Sequence, residues 1–375
     1  DTSGNTNTTL ARWFSVDLCA TPLSGNWIIN TTLACSNKQN NYSGNMVIGS
    51  NVTYVLNNIT LNIGAITISQ GATFKIQNSK DTIIQNGNLT VEGTLWINSS
   101  TYKMNGSTNG NIGINVTSTG SLYIINRSNI TNGESVSGGN ASSHYFFIVG
   151  AGSNFSMNDS YLSEAGFAGE ETQKGLFINT NNTVIVNNTI SNNYIGIYFN
   201  SSFNNTIINN NITTSGTSGH GAYLSSSSSN TLSNNNIRTT NTSAYGVYFS
   251  SSNSNNITGG SIIAQQAAAY YLQGASTTNN FTNTNFTALR NISFADATSW
   301  FNYLNDSTQN IWLKTKLSTA GSIDRTLTTW SPTQMKWNDT NSTSGLTTQY
   351  NLTGLYPNTQ YRIYNISGGV QTNSY

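Results

Sequence analysis

The sequence predicts an all-β fold, a parallel β-helix built as a three-sheet solenoid of about ten coils, with an N-terminal cap and a small C-terminal β-sandwich-like domain. Three observations carry this. First, between Gly175 and about Phe294 one phrase recurs: Asn182-Thr183-Val184-Ile185, Asn205-Thr206-Ile207-Ile208, Asn230-Thr231-Leu232-Ser233, Asn256-Ile257-Thr258 and Asn280-Phe281-Thr282, at a period of roughly 23–25 residues. Second, two further columns keep that period. One runs through Asn187-Asn188-Thr189-Ile190, Asn209-Asn210-Asn211-Ile212, Asn234-Asn235-Asn236-Ile237, Gly259-Gly260-Ser261-Ile262 and Asn283-Thr284-Asn285-Phe286; the other pairs Gly196-Ile197-Tyr198-Phe199 with Gly246-Val247-Tyr248-Phe249 and their equivalents. Third, each β-rich run is too short to bury its apolar side chains alone, and the Asn, Ser and Gly between runs leave no room for a helix.

Stacking resolves that problem. If each unit is one turn of a coil, its three runs pair with the same runs above and below, and Ile190, Ile212, Ile237, Ile262 and Phe286 form one internal stack. Asn suits the corners, because it tolerates left-handed backbone and its amide can bond to the same amide one coil away.

The earlier chain follows the same logic less evenly. Asp1 to about Ser50 is irregular, with Trp13, Phe14, Trp27 and both cysteines, and is expected to cap the open end of the coil (residues 1–50). A disulfide between Cys19 and Cys35 would hold the cap closed, since neither CxxC spacing nor a nearby His favours a metal or redox pair. Alternating runs such as Val52-Tyr54-Leu56 and Leu122-Ile124 extend the helix over residues 51–295. The segments Asn132–Ser143 and Glu164–Lys174 break the rhythm and are expected to loop out. After Ala295 the template stops and Trp300, Trp312, Trp330 and Trp337 arrive, so residues 296–375 are expected to form a sandwich-like domain, incomplete or completed by another subunit.

Composition narrows function. Only 7% of residues are charged and the net charge is +1, which leaves no basic face for nucleic acid or anionic lipid. No apolar run reaches the roughly 20 residues of a spanning helix, and Asp1 begins without signal-peptide features, as in a secreted chain whose signal has been removed. Sequons are dense, among them Asn7, Asn30, Asn51, Asn58, Asn88, Asn115, Asn129, Asn154, Asn211, Asn256, Asn291, Asn338, Asn351 and Asn365. About thirty occur against roughly seventeen for a shuffled chain, so N-glycans are expected at some, although the coil template itself also asks for Asn and Thr.

A carboxylate mechanism needs paired acids on adjacent coils. From Thr172 to Ala295 there is no Asp or Glu, and Lys174, Arg238 and Arg290 are the only fixed charges. Asp159, Glu164, Glu170 and Glu171, with His144 upstream, form the one acidic group, a candidate acid pair or calcium site whose spacing favours plain solvated loop charges. His220, between two glycines, reads as a surface histidine rather than a copper ligand. No catalytic residue, cofactor or metal site is therefore expected. Tyr198, Tyr223, Tyr248 and Tyr271 recur in one column; outward they would make a contact ladder for sugar rings or a neighbouring subunit, inward they would be ordinary core.

The Asn-Asn-x-Ile and Gly-Ile-Tyr-Phe columns resemble the parallel β-helix repeat family, which includes polysaccharide lyases and hydrolases, periplasmic copper-maturation proteins and large archaeal surface proteins. The likeness implies a right-handed coil. The stretch Tyr350–Tyr364, with its Gly354-Leu355-Tyr356-Pro357 turn, resembles the E-to-F region of fibronectin type III modules. A β-helix followed by such a segment, with few charges and many sequons, is most similar to the archaeal surface group. The expectation is an extracellular, glycosylated structural protein, a non-enzymatic subunit of a filament, sheath or surface layer whose partners are copies of itself. An adhesin or carbohydrate-binding module recognising surface glycans is the alternative, and a polysaccharide lyase or hydrolase the weaker one.

Overall fold

The structure, a computed structural model, describes residues 19–79, 83–133, 144–214, 216–284, 290–305, 310–331, 333–341, 345–357, 360, 364–367 and 370–373, the last two as backbone only. Three sheets wrap one core. Among the described residues sheet A has 14 strands, from Trp27–Ile29 to Gln334–Thr340, and sheet B has 14, from Leu33–Ser36 to Thr348–Thr353. Sheet C has 10, from Gln39–Asn41 to Ser261–Ala264. The chain visits A, B and C in turn, and neighbouring coils pair in parallel from Trp27 to Leu304.

Alternation decides what faces inward. Ile190, Ile212, Ile237 and Ile262 pair in register and are buried, one file of the core; Phe286 lies outside the described residues. The paired asparagines of the second column divide their work. Asn187, Asn209 and Asn234 take the corner at φ 58°, 56° and 54°, and Gly259 takes it in the next coil at 61°, the left-handed conformation that Asn and Gly adopt at least cost. Their successors Asn188, Asn210 and Asn235 turn inward. Asn188 donates from both its backbone N–H and its Nδ2 to Asn210 Oδ1 (2.9 and 3.0 Å), and Asn210 repeats this to Asn235 (2.9 and 3.0 Å). A second buried file runs Asn205, Asn230, Asn255, Asn279. The first ends at Gly260, which has no side-chain amide to continue it.

Coiling begins earlier than the expected cap boundary, because Trp27, Ile29, Met46 and Ile48 alternate inward as well as any later run. Cys19 is disulfide-bonded to Cys35 (Cα–Cα 5.7 Å), tying the chain ahead of the first coil to that coil's sheet B strand. Trp13, Phe14 and Asn7 lie outside the described residues. At the other end the sandwich-like segment is continuous with the solenoid. Trp312–Leu317 adds antiparallel to Phe301–Leu304 in sheet B, and Gly321–Ser331 adds antiparallel to Arg290–Phe294 in sheet A. Leu317 and Ile323 join the same core as the coils. A separate hairpin, Tyr364–Ser367 with Val370–Asn373, follows.

Candidate functional site

The outer face of sheet A carries the densest group of functional side chains. Phe177, Tyr198, Tyr223, Tyr248 and Tyr271 occupy one register position on five successive coils. Their neighbours Phe199, Leu224, Phe249 and Leu272 fill the interior, so the column left open by sequence faces outward. Parallel pairing spaces coils about 4.8 Å apart, and the rings stack at that interval. Tyr198 and Tyr223 lie 4.5 Å apart at 20°, Tyr223 and Tyr248 4.5 Å apart at 17°. Tyr271 instead turns edge-on to Tyr248 and stacks on Tyr245 at 4.2 Å. The ladder thus spends its ring faces on itself and presents edges and hydroxyls.

The segment Glu164–Lys174 covers the first rungs. A short 3₁₀ turn, Glu171–Gln173, lies beside them. Phe167 sits against Gly110, where a Cβ would strike its ring. Tyr198 is left 1% exposed and packs with Phe177 and Ile195 in a small second apolar cluster. Its hydroxyl donates to Glu171 Oε1, and Lys174 Nζ donates to Glu171 Oε2 at 2.6 Å. Burial pushes the Glu171 carboxyl up, but hydrogen bonds from Lys174 and Tyr198 and the lysine charge outweigh it and hold the group below its usual range.

His220 is not the surface residue its glycine neighbours suggest. It is 8% exposed, stacked on Tyr245 at 5.2 Å and edge-on to Tyr223 and Tyr248. Its Nδ1 accepts from the Tyr245 backbone N–H at 3.1 Å, so Nε2 carries the proton of the neutral ring. Burial, then the Lys174 charge, lowers its pKa to about 4. An unfolded histidine titrates near 6.5, so the unfolded chain binds more protons between these values and stability falls as pH drops through that window. The expected loss is on the order of 3 kcal/mol between pH 7 and pH 4. Unfolding titrations of the natural chain and of His220→Asn at several pH values check it; a stability difference that does not narrow toward pH 4 would sink the assignment.

The acidic group does not assemble. Glu164 Oε2 accepts from Thr131 Oγ1 (2.6 Å), the Asn132 N–H (3.0 Å) and Ser163 Oγ (3.0 Å). Asp159 Oδ1 accepts from Asn187 Nδ2 at 3.0 Å, Glu170 is exposed, and the His144 ring lies 2.7 Å from the Gly166 carbonyl through Nδ1, the donor. Among the described residues no three His, Cys, Asp or Glu gather as a cation would require. Of the sequon asparagines, Asn30, Asn51, Asn58, Asn88, Asn154, Asn211, Asn256, Asn338 and Asn351 are exposed, while Asn115, Asn129 and Asn291 are half-buried. The Asn365 side chain lies outside the described residues.

The profile of the family described as periplasmic copper-binding protein (NosD) matches residues 113–319, just over half of the chain. The chain belongs to the NosD family. Among solved structures, this NosD-family chain is similar to three variants of the periplasmic alginate epimerase AlgG. One is 13% identical with a TM-score of 0.36, covering 68% of this chain and 65% of that one. The others are 13% and 10% identical, both with TM-scores of 0.38, covering 69% and 71% of this chain and 67% of theirs. The chain thus spans about two thirds of the epimerase's length. No curated protein matches.

The family's description raises copper, and the donors here do not fit it. Both cysteines are in the disulfide; Met46, Met104 and Met157 are core residues on separate coils, and the fourth methionine, Met335, lies on the edge strand Gln334–Thr340. His220 has its unprotonated nitrogen committed to Tyr245, and His144 packs elsewhere. Copper sites call for several soft or imidazole donors converging, and the described residues offer none.

Proposed function

We propose that this NosD-family protein is an extracytoplasmic, glycosylated structural protein, a stiff scaffold subunit that assembles with copies of itself rather than an enzyme. The observation that carries the reading is the set of lengthwise ladders. Buried amides, buried serines (Ser202, Ser227, Ser252, Ser276, Ser299) and outward aromatics each tie coil to coil along one line. Such ladders stiffen a rod without serving chemistry.

Further support comes from the strand edges. Among the described residues sheets A and B end on Gln334–Thr340 and Thr348–Thr353 at one edge and on Trp27–Ile29 and Leu33–Ser36 at the other, each pairing with one neighbour and available for strand addition. Low charge removes long-range repulsion between copies. Of the carboxylates that a lyase or hydrolase would use, Glu164 is held by Thr131, Asn132 and Ser163, and Asp159 lies at an exposed corner bonded to Asn187, with no third acidic or histidine side chain gathered to form a group among the described residues. The disulfide and the sequons favour an oxidising compartment outside the cytoplasm.

Electron microscopy of the purified chain near physiological salt, with no ligand added, tests this. Regular fibres, tubes or a lattice are expected, and they should disappear when edge strand Gln334–Thr340 is blocked by Lys336→Pro. Dispersed single rods at all concentrations would overturn the proposal.

A further inference from the structure

The turn from sheet B to sheet C is a corner of left-handed residues tied coil to coil by side-chain amides. Asn58 donates to Asn37 (2.7 Å), Asn78 to Asn57 (3.0 Å) and Asn209 to Asn187 (3.2 Å). On three successive coils the corner departs from a single asparagine: Ser99 takes it at φ 49°, and on the next coil Asn126 still donates to Asn98 (2.8 Å). Arg127 follows Asn126 in left-handed conformation (φ 61°), and Asp159 takes the corner at φ 47°. The Arg127 backbone N–H donates to the Asp159 carbonyl at 2.6 Å. Asp159 accepts from Asn187 but has no amide of its own to donate back along the ladder.

The altered corner opens a shallow pocket lined by Arg127, Asp159, Tyr161, Asn187 and Thr189. Tyr161 is 50% exposed. Its coil neighbours at the same register are Asn129 and Thr189, so no aromatic of the adjacent coils lies over its ring. That separates it from Tyr198, Tyr223 and Tyr248, whose faces are taken by one another. An open aromatic face beside a carboxylate and a guanidinium combines an apolar platform with a strong acceptor and a strong donor for hydroxyls.

We propose that this pocket binds a neutral pyranose residue of a glycan. Its C–H face stacks on Tyr161, while Asp159 accepts from and Arg127 donates to its hydroxyls. The opposite charges of Arg127 and Asp159 offset each other, which suits an uncharged sugar better than a uronate. The sugar has two possible sources, a separate glycan or the first residues of an N-glycan on Asn129, whose sequon lies one coil before Tyr161. This site is independent of the assembly reading, since either can hold without the other.

The test is saturation-transfer NMR on the full chain made in a non-glycosylating host, with cellobiose, maltose and N,N′-diacetylchitobiose as probes. Transfer is expected to at least one disaccharide, weakened about tenfold or more in Tyr161→Ala and in Asp159→Asn and unchanged in Phe203→Ala, an exposed aromatic on another edge. Asp159→Asn restores the corner amide, so the fold should be kept or stabilised while binding falls; a merely structural role predicts the reverse. The same chain made in a glycosylating host separates the sources. If the attached glycan fills the pocket, disaccharide binding is lost there and returns in Asn129→Gln; if binding persists, the ligand is a separate glycan. No transfer to any probe, or equal transfer in the natural chain and the folded Tyr161→Ala variant, overturns the proposal.

Discussion

Asn230→Ala is expected to lower the stability of the coils around it by about 3–5 kcal/mol, far more than a surface substitution. The side chain is fully buried. Its Oδ1 accepts from both the backbone N–H and Nδ2 of Asn205, each at 2.9 Å, and its Nδ2 donates to Asn255 Oδ1 (3.0 Å) and the Ser202 carbonyl (3.2 Å). Truncation strands two donors and weakens two acceptors in a dry interior, where each lost partner costs about 1–3 kcal/mol. Asn230→Asp keeps the acceptor but removes both donors and buries a charge, so its folded pKa rises above the unfolded value near 3.9. Its penalty is therefore largest at neutral pH and shrinks as acid neutralises the group, whereas the alanine penalty does not. The exposed corner residue Asn209 serves as control. Asn209→Gly keeps the left-handed corner and should cost under about 1 kcal/mol. Hydrogen exchange of amides in sheets A and B, with chemical unfolding, reads all three variants. Equal effects for Asn230→Ala and Asn209→Gly would show that the buried ladder contributes nothing.

Breaking the ion pair at the end of the solenoid should cost a similar amount. Arg325 is fully buried and its partner Asp339 nearly so. Arg325 Nε donates to Asp339 Oδ1 at 2.8 Å and Nη2 to Oδ2 at 2.6 Å; Nη2 also reaches Thr315 Oγ1 at 2.8 Å, and the Tyr350 hydroxyl donates to Asp339 Oδ2 at 2.8 Å. Arg325 and Asp339 belong to sheet A, Thr315 and Tyr350 to sheet B, so the network clamps the two layers where they leave the coil. Arg325→Met or Asp339→Ala alone leaves a buried charge uncompensated, a loss of about 3–5 kcal/mol for the strands from Trp312 to Thr353. Arg325 Nη1 is buried with no hydrogen-bond partner, which reduces what the intact pair contributes over an apolar filling. The double variant Arg325→Met/Asp339→Leu should accordingly recover most of that loss. Urea unfolding of the single and double variants decides the matter. Additive losses in the double variant would mean that the clamp is not an isolated pair.

How much of this was legible follows from where the information sits. The inward isoleucine file and the left-handed corners Asn187, Asn209 and Asn234 follow from spacing and residue type, because a short run with one apolar side has a single way to bury it. The continuity of the last strands was hidden, since Ile311-Leu313 and Leu327-Thr329 alternate like any strand and alternation does not specify a partner. Arg325 carried no signal either: its burial depends on an aspartate on the next strand and a threonine in the facing sheet.

The sequence by itself determined the coil, its period, its three sheets and the asparagine corners, because those are local demands repeated until neighbours satisfy them. Only the tertiary structure decided which of two adjacent asparagines turns inward, that the tyrosine column faces outward and stacks, that the Glu164–Lys174 segment and His220 close over it, and that Tyr161 alone in its column keeps an open face. Those outcomes depend on what lies one coil above and below, and that neighbour is roughly 20 to 30 residues away along the chain.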